Sequence, residues 1–125
     1  MLVDAEYVVV QPAIDYFTYR AFYEFNRLRK PLVYGTLQDY LKDSLPRLIE
    51  ASEAAKKQGI SMALKLVRGA YITRENAEAE SLGAPSPVHS LITETHRCYN
   101  TYALLLLEKV STGGASLLLP TQFPV

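Results

Sequence analysis

The sequence is short of the groups that most often announce a chemistry. It has one cysteine, two histidines and no net charge. A single Cys98 excludes a disulfide framework and any metal site built on cysteines. Beside Tyr99 in a helical pattern it reads as a small buried hydrophobe. Thirteen basic residues balance thirteen acidic ones, so the chain lacks the positive field that gathers nucleic acid or anionic lipid. No apolar run approaches the roughly 20 residues of a membrane span. The longest, residues 103–107, sits inside a helical pattern. No repeat, low-complexity tract, Walker loop, paired-cysteine motif or Gly-x-Ser-x-Gly elbow is present. His89 and His96 are seven apart on one helix face with no third ligand nearby, which implies capping or a surface role for His89, packing for His96 and no metal. The first residues read as the start of a strand and not as a signal or transit peptide. So abrupt a start implies that something upstream is missing.

What is present suits one domain. Hydrophobic residues make up 49% of 125, enough for a real core. Residues 2–10 are β-prone, with Asp4 and Glu6 on one face, either a solvated edge or the lining of a polar cavity. Pro12 opens a helix whose stripe is Ile14, Phe17, Ala21 and Phe25, and the aromatic crowd around it is expected in the core. Lys30-Pro31 ends that helix. Residues 31–36 form a short strand, and a helical turn begins at Leu37. Ser44 is placed as the N-cap of a helix that buries Leu45, Leu48, Ile49 and Ala51 and ends at Gly59. A strand over 62–69 follows, then a polar loop over 72–87 with a short helix near 75–81. A loop of that length is more often functional than incidental. A long helix spans about 88–110, and a last strand covers 115–119.

Strand and helix thus alternate three times before a final strand, with crossovers long enough for parallel pairing. The class is α/β: a doubly wound sheet, or an arc of a (β/α)8 barrel, of which 125 residues hold about half. In either, ligands bind at the carboxyl ends of the strands.

Residues 63–71 carry the clearest chemistry. Met62, Leu64 and Leu66 share one face of the strand, and Ala63, Lys65 and Val67 the other. Lysine on an otherwise apolar strand is costly to bury alone. It is either a solvated edge residue or a cation aimed at a ligand, with Gly69 allowing close backbone approach. Asp4, residues 36–38 and residues 65–71 all fall at or near strand ends, which favours the ligand.

Val3-Asp4-Ala5-Glu6, Gln11-Pro12-Ala13-Ile14-Asp15-Tyr16, Tyr34-Gly35-Thr36-Leu37-Gln38-Asp39-Tyr40-Leu41-Lys42-Asp43, Lys65-Leu66-Val67-Arg68-Gly69-Ala70-Tyr71, Ser86-Pro87-Val88-His89 and Thr95-His96-Arg97-Cys98-Tyr99-Asn100 together resemble proline dehydrogenase, most closely its mitochondrial, plant-like form. The resemblance runs in order over about residues 2–119. It implies a partial (β/α)8 TIM-like barrel of about three and a half βα units, with residues 119–125 a divergent tail. It also implies FAD as cofactor, hydride transfer from L-proline to give Δ1-pyrroline-5-carboxylate, electrons passed to quinone, a mitochondrial location and peripheral inner-membrane association of the full-length protein. By position, Asp4 and Lys65 would be catalytic, and Ala5, Gln38, Lys65, Val67, Arg68 and Gly69 would meet the flavin. A cation and amide donors at that edge suit the negative charge that hydride transfer delivers. Leu119 is followed by Pro120-Thr121-Gln122-Phe123-Pro124-Val125, where the family has a flavin-contacting Thr-His. The arginine pair that clamps the proline carboxylate and an upstream pocket lysine are also absent. A truncated or frame-shifted product, unable to turn over proline by itself, is therefore expected. A non-catalytic partial barrel and an aldolase-like barrel with a Schiff base on Lys65 are the alternatives.

Overall fold

The computed structural model describes residues 1–27, 31–111 and 115–119. In chain order the elements are α1 (Gln11–Phe25), β1 (Gly35–Gln38), α2 (Ser44–Gln58), β2 (Met62–Val67), α3 (Ile72–Ser81), α4 (Ile92–Ser111) and β3 (Ala115–Leu118). The three strands form one parallel sheet in the order β1-β2-β3. Thr36 lies opposite Lys65, and Lys65 opposite Leu118, so β2 is paired on both sides. Met62, Leu64 and Leu66 are buried on its expected apolar face. They meet Phe22 from α1, Leu48 from α2, and Tyr102 and Leu106 from α4. No helix among the described residues is long and apolar enough to cross a membrane.

Several elements differ from the sequence reading. Residues 2–10 are not a strand: Leu2 makes one parallel bridge to Tyr34, and residues 8–10 turn. Side chains have taken over the backbone groups that a ladder would use. Thr36 Oγ1 donates to the Val3 carbonyl at 2.9 Å, Gln38 Nε2 to the Glu6 carbonyl at 2.8 Å, and Gln11 Oε1 accepts from the Glu6 N–H at 2.9 Å. The next strand lies at Gly35–Gln38 and not at 31–36, because the N–H groups of Leu32 and Val33 are bound to the side chain of Asn26. The expected helical turn from Leu37 is therefore the end of β1.

On α1 the buried face is Gln11, Thr18 and Phe22, while Phe17 and Phe25 are exposed. The helix is rotated because it rests on Gly35, where an added Cβ would sit only 3.0 Å from Thr18 Cγ2. Most of the aromatic crowd is therefore outside the core. On α2, Leu45 and Ile49 are exposed, and Asp43, not Ser44, is the cap residue. The Ser44 hydroxyl instead pairs with Tyr102 Oη at 3.0 Å across the core. Gly59 ends α2 in the left-handed region, φ 67°, as expected. The polar loop contains a ten-residue α3, and α4 begins four residues late because Val88 bridges antiparallel to Leu41. Of the divergent tail expected at 119–125, residues 120–125 lie outside the described residues.

Asn26, fully buried, joins three segments. Its Nδ2 donates to the carbonyls of Val33 (2.8 Å) and Ser61 (3.3 Å), and its Oδ1 accepts from Leu32 and Val33 (3.0 Å each). Replacing it leaves buried backbone groups without partners, at about 1–3 kcal/mol apiece. We expect Asn26→Ala to lower unfolding free energy by about 3 kcal/mol or more in urea denaturation.

Candidate active site

The carboxyl ends of β1 and β2 meet the N-terminal segment in one polar cluster. Lys65, placed there by the odd face of β2, keeps 19% of its side chain exposed and donates through Nζ to Asp4 Oδ1 at 2.5 Å. Gln38, the last residue of β1, is buried between segments. Its amide nitrogen is on Glu6 and its oxygen accepts the Ala70 N–H at 3.4 Å. The Tyr71 hydroxyl donates to Glu6 Oε2 at 2.7 Å. That bond, and then partial burial, hold the Tyr71 phenol above its ordinary range. Asp4, with 66% of its side chain exposed, sits on the solvated side of this cluster and Glu6 is half-buried in it, although no strand carries them. Behind Asp4, toward α1 and α2, only about 10 Å³ is free, room for at most one water. A ligand at this cluster therefore approaches from the strand ends.

The two strand ends continue as a clasp. The N–H of Asp39 donates to the Val67 carbonyl at 2.9 Å, and that of Tyr40 to the Arg68 carbonyl at 2.8 Å. The N–H of Tyr71 donates back to Tyr40 Oη at 3.1 Å. Gly69 adopts φ 140°, and a Cβ there would lie 2.5 Å from the Tyr40 ring. The neighbour that demands glycine in this structure is thus a tyrosine of the chain itself. Arg68 turns away from Lys65: its Nε donates to His96 Nδ1 at 2.8 Å, and its guanidinium lies 4.2 Å from the Tyr99 ring centroid. Ala5 is half-buried next to Asp4.

Of the residues expected at a site, the structure brings Asp4, Ala5, Gln38, Lys65, Val67 and Gly69 to one edge, while the Arg68 side chain lies on α4. The sequence reading missed Tyr40, Glu75 and Asp39. Glu75, buried in the first turn of α3, accepts the Val8 N–H at 2.5 Å. Asp39 is fully buried and neither carboxyl oxygen has a hydrogen-bond partner. Nothing in the sequence sets Asp39 apart, since Gln38 beside it is polar as well. Burial pushes its carboxyl up to about 8, against the opposing pull of Arg68. The two histidines also depart from expectation. His89 lies between Glu94 (Nδ1 to Oε2, 3.2 Å) and Cys98 (Nε2 to Sγ, 3.4 Å), so Cys98 is half-buried beside an imidazole. His96 accepts the Arg68 bond. Among the described residues no group of three side chains is arranged to hold a metal ion.

Parallel strands joined by helical crossovers, with polar groups gathered at the strands' carboxyl ends, suit either a doubly wound sheet or an arc of a (β/α)8 barrel, and the likeness to solved structures selects the barrel. The solved structure of proline utilization A from Bdellovibrio bacteriovorus overlays 96% of this chain with a TM-score of 0.80 at 27% identity, using 12% of its own length. The model of the proline dehydrogenase family matches residues 1–117. Mitochondrial proline dehydrogenase 1 of Arabidopsis thaliana is 47% identical over 91% of the chain and 23% of its own length. The human protein of that name is 36% identical over 88% of the chain and 18% of its length. Mouse hydroxyproline dehydrogenase is 35% identical over 91% of the chain and 25% of its length. The chain belongs to the proline dehydrogenase family and spans about a quarter of the length of these plant and mouse relatives.

Two outcomes are expected at this edge. Gly69→Ala forces the Tyr40 ring aside and costs roughly 1–3 kcal/mol, visible in denaturation and as shifted Tyr40 ring resonances. For Asp39 the folded state keeps a proton that the unfolded chain has released, so its contribution to stability is full below about pH 4 and falls as pH rises to about 8. Asp39→Asn removes that loss. The stability difference between Asp39→Asn and the parent chain therefore grows in the variant's favour from pH 4 to 8 and is constant above, measured by urea unfolding at each pH.

Proposed function

We propose that residues 1–125 are one stretch of the catalytic barrel of a mitochondrial enzyme that oxidises L-proline to Δ1-pyrroline-5-carboxylate with FAD and passes the electrons to a quinone. The whole protein would meet that quinone at the surface of the inner membrane. Proline is taken as the substrate because the family model and the plant relatives, at 46–47% identity, carry that name. The observation that carries the reading is the Lys65 ammonium held by Asp4 at the carboxyl end of the central strand.

The donors present fit a flavin. Lys65 has three N–H groups, of which Asp4 takes one. Gln38 has a second amide N–H beyond the one given to Glu6. Residues 68–70 leave their surface open to solvent. Lys65, Gln38, Ala5 and residues 67–69 would therefore hold the ring edge, Arg68 through its backbone because its side chain is engaged on α4. FAD supplies the two-electron acceptor chemistry when bound. Lys65 stabilises negative charge as it develops there, and Asp4 fixes the direction of that ammonium. The Tyr40 clasp keeps residues 67–71 in place so that the donors are set before the ligand arrives. An ion-paired ammonium is not a free amine nucleophile, which disfavours a Schiff base on Lys65.

The test is flavin retention by the purified chain, read from its blue absorbance and by titration with FAD. Lys65→Met is expected to weaken binding about tenfold or more, some 1.4 kcal/mol. Equal affinity of the two proteins would remove Lys65 from the site. Borohydride trapping of a carbonyl compound on Lys65 would favour the aldolase-like chemistry instead.

A further inference from the structure

We propose that Asp39 is a positioning residue for the arm formed by residues 67–71: buried between that arm and α4, its carboxyl decides whether Arg68 stays on His96 and Tyr99 or turns inward. The inference rests on the reading of that arm as flavin-facing.

Three observations meet at Asp39. Its backbone is bound into the clasp through the Val67 carbonyl. Its side chain is fully enclosed and neither carboxyl oxygen accepts a hydrogen bond. The cation whose field reaches it, Arg68, belongs to the arm itself. The groups facing Asp39 are Arg68 from the end of β2, Tyr102 from α4, whose phenol feels the Asp39 charge, and His96 from α4 by way of Arg68. None of the hydrogen bonds of these groups ends on the carboxyl.

A buried carboxyl without donors is tolerable as the neutral acid and costly as the anion. While it holds its proton, nothing inside draws Arg68, and the guanidinium stays on His96 Nδ1 and the Tyr99 ring. Loss of the proton creates an enclosed, uncompensated charge whose nearest remedy is that guanidinium. Moving it inward breaks the His96 bond and pulls on residues 67–70, whose backbone is fixed by Asp39 and Tyr40 and whose Gly69 has the Tyr40 ring against it. The protonation state of Asp39 is thereby coupled to the placement of the arm.

The experiment is an NMR titration of the 125-residue chain from pH 5 to 10 without flavin, following the Asp39 carboxyl carbon, Arg68 Nε and the amides of residues 68–71. Arg68 Nε and the arm amides are expected to move with the midpoint of the Asp39 carboxyl, near 8. In Asp39→Asn they should stay at their low-pH positions. In Arg68→Gln the Asp39 midpoint should rise further, because the cation opposing its protonation is gone. This second variant keeps the test open if Asp39→Asn does not fold. Arm amides that ignore the Asp39 transition, an Asp39 midpoint near 4, or a midpoint unmoved by Arg68→Gln would each overturn the proposal. FAD affinity measured separately at pH 6 and 9 distinguishes the two readings. A chain that never binds FAD but shows the coupled titration rejects the flavin reading alone. A chain that binds FAD with a static arm rejects the role of Asp39 alone.

Discussion

A lysine on the central strand of a parallel sheet, with only 19% of its side chain exposed, is costly to leave without an anion. Lys65 lies opposite Thr36 on one side and Leu118 on the other, neither of them an anion. Asp4 supplies it, and that requirement draws the N-terminal segment across the carboxyl edge of the sheet. Once there, the segment's peptide groups need partners too. Thr36, Gln38, Gln11 and Glu75 provide them from β1, α1 and α3. The polar edge that defines the candidate site is held by this ion pair together with those hydrogen bonds.

How much of this could be read from residues alone follows from which signals are local. The order of elements from α1 onward, the parallel class and the alternation across 62–67 were legible because periodicity and breakers such as Gly59 are properties of short windows. The position of Lys65 was legible for the same reason. The N-terminal strand was misread because its β-prone composition is real, while several of its peptide groups are bound by side chains, three of them tens of residues away. The helix faces of α1 and α2 were rotated because tight contacts, such as Thr18 on Gly35, choose among several apolar stripes of similar strength. Asp39 escaped notice since nothing in a single chain of letters says that an acid is enclosed.

The strand ends show how one short stretch can meet two demands. Residues 67–71 must expose backbone toward a ligand, yet remain fixed enough to present it. The Tyr40 ring and hydroxyl meet the second demand from one side, leaving the other side open. Arg68 adds a tie to α4 through an imidazole and an aromatic ring, so a helix remote from the sheet edge reaches the arm. The arm is placed by β1 and α4 together.

The N-terminal segment differs in kind from the sheet it covers. A ladder opens cooperatively, since each bond orders the next, whereas the bonds at Val3, Glu6 and Val8 depend on three separate side chains. Its acceptors and donors lie on β1, β2, α1 and α3, and none is in position until those elements have assembled. Docking of the segment therefore depends on elements that follow it in the chain. Its amides belong to the set that exchanges with solvent by independent local openings, while those of β2 exchange only when the sheet itself comes apart.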